Sequence, residues 1–389
     1  MPTERYDLIV AGTGAVGSAA LWQAAQRGLR VLGIDRFPPG HDRGSSHGRT
    51  RIIRHAYFEH PDYVPLLLRA YELWAELENA RGEQLLRQTG LLQVGPADGF
   101  VVNGVVESAR RHGLHVEALS ADDCQQRFPA FRIPPDHVAV FEPKAGFLHV
   151  ERCVIAQAEE AQRLGAVLRL NETVQSWQQR GDHVIIQTDQ QEYSAARLII
   201  SAGAWAGQLL AELDIPLTVR RKPVYWFEPR DERYDADQEC PAYLFETLAG
   251  VFYGFPRIDE HGVKVAEHSG GEAVADPLTV DRYDRASDRE PLLRFTAAHL
   301  PGVTDRVLGH SVCLYTMSPD EHFIVDCHPD FPAVAFAAGL SGHGFKFAPV
   351  LGQALVELAV NGRTDLPVEF LSLGRDGLSR PSEPSRRDS

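Results

Sequence analysis

The feature that most constrains this chain lies at its start. An apolar, β-branched-rich run from Arg5 to Ala11 leads directly into Gly12-Thr13-Gly14-Ala15-Val16-Gly17, and an Ala-rich apolar segment follows to about Arg27. Gly28 is placed to end that segment as a helix cap, and Leu29 to Asp35 reads as a second buried strand. Strand, glycine turn, helix and strand inside about thirty residues make a dinucleotide-binding βαβ unit. Each glycine has its own physical reason. Gly12 permits the tight turn, Gly14 lets the backbone approach a pyrophosphate, and Gly17 lets helix and strand pack closely. The helix N-terminus then offers free N–H groups and a positive dipole end to phosphates. Asp35 stands 23 residues after Gly12, where a carboxylate accepts from ribose hydroxyls and disfavours a 2′-phosphate. NAD and FAD both satisfy this pattern.

Further along, 197–201 and 333–338 read as buried strands that each run into a glycine-rich turn. The second turn, Gly339 to Gly344, opens a helix carrying Leu351, Ala354, Leu355 and Leu358 on one face. A second helix N-terminus aimed into the same crevice suits the electron-rich end of a flavin. Between these landmarks, 40–51 reads as a loop, and Asp62 is placed to cap a helix whose apolar positions include Val64, Leu67, Leu68, Trp74 and Ala75. Residues 85–149 read as short strands and turns, 151–164 as a helix ended by Gly165, and 217–327 as an antiparallel sheet. The expected fold class is α/β plus antiparallel β: a Rossmann-type dinucleotide domain joined to a second, mixed-sheet domain.

Composition narrows the function. The net charge of −14 argues against nucleic acid and anionic membrane surfaces, which select basic patches. No apolar stretch approaches the ~18 residues of a membrane span, and Met1 to Val10 has no signal-peptide apolar core. The five cysteines are scattered and without CxxC spacing, which fits a reducing compartment and gives no zinc pattern. A cytoplasmic protein without a metal site is expected.

Three segments resemble the family of monomeric sarcosine oxidase and N-methyl-L-tryptophan oxidase: Gly44-Ser45-Ser46-His47-Gly48-Arg49-Thr50-Arg51-Ile52-Ile53-Arg54-His55-Ala56-Tyr57, Ser311-Val312-Cys313-Leu314-Tyr315-Thr316, and Gly339 to Phe347. Tyr253-Gly254-Phe255-Pro256, Lys264, His268 and Ser318 to Asp326 fit the same family. The resemblance implies a fold like that of D-amino acid oxidases and a monomer. It implies an FAD-binding domain from 1–84, 150–217 and 328–373 and a substrate domain from 85–149 and 218–327, and the polar remainder, 374–389, reads as a disordered tail. By resemblance, Cys313 joins the flavin 8α-methyl through sulfur, and Lys264 is the lysine beside the ring at which O2 is activated. Arg54 and Lys346 hold the substrate carboxylate. Tyr253, His268 and Tyr315 line the space around the amine, and Thr50 and Arg51 pack against the isoalloxazine. Ser45, His47, Val174, Gly342, Gly344 and Phe345 complete the expected cofactor contacts. Three positions depart from the family's common pattern: Arg49 where Asp is usual, Ser46 where a histidine is frequent, and Phe252 where a tyrosine is frequent. Of these, Arg49 matters most, as an extra cation in the flavin loop.

The chemistry implied is two-electron oxidation of a C–N unit, with the cofactor accepting electrons and the protein supplying binding and electrostatics. A substrate carboxylate calls for fixed cations, and Arg54 supplies a fork and Lys346 a point charge. The expected reaction takes sarcosine or a related N-methyl-L-amino acid, O2 and water to formaldehyde, the amino acid and H2O2. Bulky residues at Tyr243, Leu244 and Phe245 favour a small substrate. N-methyl-L-tryptophan or a cyclic amino acid stays open as the substrate. So does a different class of role, a catalytically silent FAD-binding scaffold or sensor, which the cation set Arg51, Arg54, Lys264 and Lys346 disfavours.

Overall fold

The computed structural model describes residues 5–378. The opening βαβ unit forms as read: strand Arg5–Ala11, helix Ala15–Gln26, strand Val31–Asp35. Arg5–Ala11 lies between Val31–Asp35 and Glu192–Ile200, parallel to both, and Val167–Leu170 and Val334–Ala338 extend the parallel core on either side. The central strands are mostly buried, with the helices Ala15–Gln26 and Ala348–Asn361 packed against them, while the edge strand Val167–Leu170 is only partly buried. The helix Ala348–Asn361 crosses Ala15–Gln26 so closely that a Cβ on Gly352 would fall 2.6 Å from Ala20 N. Strands Val174–Arg180, His183–Thr188 and Ile324–Cys327 complete an eight-stranded sheet.

A second, nine-stranded sheet is antiparallel except where Ala242–Thr247 runs parallel to Leu91–Pro96. Its longest ladder pairs Thr218–Pro229 with Val303–Met317 and sets Lys222 opposite Cys313. Trp226 pairs with Lys264 and Tyr253 with Ala266 on neighbouring strands. Because side chains alternate along a strand, Cys313 and Tyr315 share one face, as do Lys264 and Ala266. A small three-stranded sheet of Thr50–Ile53, Leu86–Arg87 and Gly146–His149 lies beside these two.

Four local expectations are corrected. Residues 85–149 contain two helices, Phe100–His112 and Ala121–Arg127, and 217–327 contains a third, Ala286–His299. The loop read over 40–51 ends in a strand, since Thr50–Ile53 pairs with Gly146–His149. Asp62 caps nothing: it lies inside the short turn Pro61–Tyr63, whose cap is His60, and the helix is Val64–Arg81. On that helix Leu66, Leu73 and Leu77 are buried, while Leu68 and Ala75 face solvent. The expected disorder after Gly374 does not begin there, because Arg375 pairs with Asp320 and Leu378 is buried. The rest of that tail lies outside the described residues. Among the described residues no helix is long and apolar enough to cross a membrane.

Candidate active site

A long cavity runs from the glycine turn. Gly12, at φ 89°, has no room for a side chain: its Cβ would lie 2.7 Å from Ser201 O. A Cβ on Gly17 would lie 1.8 Å from Gly12 O, which is why the helix can start so close to the strand. Gly14 faces open space, with only Ser46 Oγ at 3.8 Å, and it lines the cavity together with Gly12, Asp35, Ser45 and Val174. The Asp35 carboxylate already accepts from Thr13 N at 2.5 Å and Phe37 N at 2.9 Å, and carboxylate oxygens have lone pairs to spare for a further donor. Arg36, Trp205 and Thr316 line the same cavity, and Arg36 Nη1, Trp205 Nε1 and Thr316 Oγ1 are buried without a partner. Buried polar groups left unpaired are costly, so orphans along a glycine-walled slot mark where a polar, extended ligand belongs. The residues therefore fit a dinucleotide such as FAD.

At the far end, three reactive groups meet at Gly48. A Cβ there would lie 3.6 Å from both Arg51 Nη1 and Cys313 Sγ and 3.7 Å from Lys264 Nζ. The loop is held by Glu151, whose carboxylate accepts from Gly48 N at 2.7 Å and Arg49 N at 3.1 Å. Lys264 donates to Gly48 O at 2.6 Å, Thr50 O at 3.0 Å and Thr50 Oγ1 at 3.4 Å. Burial, and next to it the Arg51 charge, push the Lys264 ammonium well below its ordinary range. Arg51 donates to Cys313 Sγ at 3.2 Å, and His47 Nδ1 lies 3.9 Å from the sulfur. Burial alone would push that thiol up, but His47, Arg51 and Lys264 together bring it down to about 5. A cysteine so placed is a thiolate at neutral pH, unlike an ordinary buried thiol. Arg49 turns its side chain outward to an ion pair with Asp259.

A second, small cavity of ≈ 50 Å³ shares Arg51, Tyr315, Gly342 and Phe345 with the long one. Arg54 and Lys346 line it, both buried. The Arg54 guanidinium carbon lies 4.5 Å from the Tyr57 ring centre and 4.4 Å from that of Phe58, and Arg54 donates to Glu59 at 2.5 Å, while its Nε has no partner. Burial opposes a charged Glu59, yet Arg54, then His343 and Lys346, hold that carboxyl down at about 2. Lys346 donates to His343 O at 2.8 Å and Tyr57 OH at 3.4 Å. Burial, and then Arg54, bring it to about 7, against the pull of Glu59. Tyr253, His268 and Tyr315 form another side, with His268 Nδ1 3.4 Å from Tyr315 OH. Burial holds His268 at about 3, so its imidazole is neutral.

The structure thus brings Arg51, Arg54, Tyr253, His268, Tyr315, Gly342, Phe345 and Lys346 together around the small cavity. Gly344 lines the long one. Gly17, His47, Thr50, Lys264 and Cys313 line neither; they stand behind the walls, with His47 against Cys313 and Thr50 against Lys264. Sequence reasoning missed Glu59 and Phe58. The available signal was physical: a buried arginine needs a counter-charge, and Glu59 stands five residues after Arg54.

Known proteins resemble the chain over most of its length. A family model described as FAD dependent oxidoreductase (DAO) matches residues 7–358. The chain is 40% identical over 380 residues to monomeric sarcosine oxidase of Bacillus sp. (strain NS-129), covering 96% of this chain and 98% of that protein. It is 37% identical over 372 residues to N-methyl-L-tryptophan oxidase of Yersinia pestis (strain Pestoides F), covering 95% and 99%. Among solved structures, NikD, an unusual amino acid oxidase essential for nikkomycin biosynthesis, matches with TM-score 0.83 and 26% identity over 95% of this chain and 98% of that one. The L-proline dehydrogenase of P. horikoshii shares the fold at TM-score 0.81 and 22% identity, over 95% and 97%.

Proposed function

The chain belongs to the family of FAD-dependent oxidoreductases, and on that premise we propose that it is an oxidase of small N-methyl amino acids. In this reading sarcosine or a close N-methyl-L-amino acid, O2 and water give formaldehyde, the demethylated amino acid and H2O2. The observation that carries it is the buried Arg54–Lys346 pair in a small cavity that opens onto the dinucleotide slot. Two dry cations beside the slot suit one carboxylate, and the cavity volume of ≈ 50 Å³ favours a substrate without an indole.

FAD, when bound, supplies the two-electron acceptor. The remaining tasks fall to the chain. Arg54 and Lys346 bind and orient the carboxylate. Neutral His268, with Tyr253 and Tyr315, accommodates an uncharged amine, and the surrounding cations disfavour its protonated form. Lys264 and Arg51 place positive charge where negative charge develops as an electron passes to O2. The thiolate of Cys313 is the proposed point of covalent attachment to the 8α-methyl. The proposed FAD-binding domain is built on the eight-stranded sheet. It follows the bounds 1–84, 150–217 and 328–373, with Ile324–Cys327 added because that strand pairs with Val334–Ala338. The proposed substrate domain is 85–149 and 218–323, and the protein acts as a monomer, as the names of its sarcosine oxidase relatives suggest.

The deciding experiment is a panel of N-methyl amino acids scored by peroxide release. Turnover is expected to be highest with sarcosine or N-methyl-L-alanine and poor with N-methyl-L-tryptophan. Flavin that bleaches anaerobically without later peroxide would mark a dehydrogenase, and flavin that no amine bleaches would mark a silent binding protein. For the covalent link, acid-precipitated protein is expected to stay yellow, with Cys313→Ser releasing its flavin to the supernatant. Complete release from the unaltered protein would refute the attachment.

A further inference from the structure

The chain contains four lysines against thirty-five arginines. Of the four, only Lys144 is exposed; Lys222, Lys264 and Lys346 are all 5% exposed or less. A sequence that uses arginine almost everywhere keeps lysine where a compact point donor is needed and a planar fork cannot serve. Two of the three buried lysines belong to the site already described. The third does not.

Lys222 enters from the strand Thr218–Pro229, opposite Cys313. Its Nζ donates to three successive carbonyls, of His268 at 3.1 Å, Ser269 at 2.6 Å and Gly270 at 3.4 Å. It also lies 5.2 Å from the centre of the Tyr315 ring. A side chain on Gly271 would meet Lys222 Cδ at 2.9 Å, so the glycine turn is moulded on the lysine stem. Glu267 supplies a nearby negative charge but no ion-pair contact, and a buried ammonium held by carbonyls alone is an expensive way to tie a loop. What it touches are the main-chain carbonyl of His268 and the ring of Tyr315, the two residues whose imidazole Nδ1 and hydroxyl meet at 3.4 Å on the side of the small cavity away from the carboxylate clamp.

We propose that Lys222 is a positioning residue for the amine-binding side of the active site: from outside the cavity it fixes the carbonyls of the His268 turn and the face of Tyr315, and so sets the His268–Tyr315 contact. The inference rests on the reading of His268 and Tyr315 as the surroundings of the substrate amine. Its positive charge has a second effect, disfavouring an imidazolium at His268 after burial has already done so. Glu59, His343 and Arg54 also act on the charge of His268, and the titratable Tyr315 and Tyr253 face its ring, with Tyr315 OH at 3.4 Å from Nδ1.

The test uses the flavin-loaded enzyme, with anaerobic reduction by sarcosine and reoxidation by O2 followed separately. Lys222→Met is expected to slow reduction by about tenfold and to leave reoxidation within about twofold. In a His268→Asn background the same change is expected to add almost nothing, because residues acting through one contact are non-additive. A readout independent of turnover is the titration of His268 by histidine-selective NMR, expected to move upward in Lys222→Met by about half a unit or more as a nearby cation is removed. Should Lys222→Met not fold, Lys222→Gln keeps two donors without the charge and is expected to slow reduction about threefold, with the same dependence on His268. Equal losses in both half-reactions, additivity with His268→Asn, or an unmoved His268 titration would each overturn the proposal while leaving the oxidase reading intact. An unaltered enzyme that no N-methyl amino acid reduces would defeat that reading, and this proposal with it.

Discussion

Lys264 and Lys346 are both buried ammonium groups beside the flavin slot, and they are held in different ways. Lys264 donates to three oxygens of one loop, Gly48 O, Thr50 O and Thr50 Oγ1, which accounts for all its protons. Lys346 donates to two, His343 O and Tyr57 OH, and has the carboxylate of Glu59 nearby. An ammonium whose donors are all satisfied by its own supporting loop can act on a ligand only through its charge. One with a donor to spare can make a hydrogen bond. The first arrangement suits a transient negative charge on a small, weakly held molecule such as O2, and the second suits a bound carboxylate. Burial is the common feature, and donor accounting is what separates the roles.

The largest expected effect breaks the comparison on the Lys264 side. Lys264→Met is expected to leave anaerobic bleaching of the flavin by substrate nearly unchanged and to slow reoxidation by about 10²–10⁴-fold, the scale of losing a preorganised stabiliser of roughly 3–5 kcal/mol. Stopped-flow absorbance of the two half-reactions checks it. Impaired anaerobic reduction would instead give Lys264 a role in substrate binding.

Next comes the carboxylate clamp. Arg54→Ala is expected to lose on the order of 2–4 kcal/mol of transition-state binding for N-methyl amino acids, and much less for amines lacking a carboxylate. It removes a cation and also leaves Glu59 unpaired where the substrate carboxylate must sit, so adding Glu59→Gln should recover part of the loss. Lys346→Ala should cost less, and its cost should depend on pH. Lys346 is brought to about 7 by burial and by Arg54, so it is charged below that pH and neutral above it. Its contribution to carboxylate affinity is therefore fully present in mild acid and fades as pH rises through about 7. Arg54, with Glu59 beside it, stays charged throughout. The ratio of carboxylate affinities, unaltered protein over Lys346→Ala, should fall between pH 6 and pH 8.5, whereas the same ratio for Arg54→Ala should stay flat. Parallel profiles would show that the two cations do not differ as their surroundings indicate.

These contrasts also show what was legible beforehand. The βαβ unit was, because Gly12 and Gly17 answer to the backbone: one needs a positive φ and the other a close approach, and both leave an unambiguous mark in the sequence. The two walls of the small cavity were legible only through resemblance, since nothing in the spacing of Arg54, His268 and Lys346 says that they meet. Glu59 was missed because a counter-charge is chosen by the fold. The helix Phe100–His112 falls in the stretch read as short strands and turns; its Val101, Val102, Val105 and Val106 are β-branched, and its own packing overrides that preference. The helix Ala286–His299 falls in the stretch read as antiparallel sheet, and it contains Pro291, a residue that usually argues against a helix interior. The helix–sheet core is specified locally and redundantly, while the site is specified by contacts between distant segments.

The smallest expected effect sharpens the comparison by asking what a cation near Lys264 does when it is not dry. Arg49 adjoins Gly48, whose carbonyl holds Lys264, and it occupies a backbone conformation, φ 71°, that few side-chain-bearing residues adopt. Its guanidinium turns away to Asp259, and the two side chains remain 36% and 26% exposed. Pairs in that environment contribute about 0–1 kcal/mol and are screened by salt. The loop is fixed instead by Glu151, which accepts from the main chain of Gly48 and Arg49 and does not depend on the Arg49 side chain. Arg49→Met keeps the backbone strain and removes the charge, so reoxidation is expected to change by less than about threefold at low salt and by less still at ~0.5 M salt. A tenfold loss that persists at high salt would mean that Arg49 acts on Lys264 through structure, and the distinction between dry and screened cations would then fail on this side of the site.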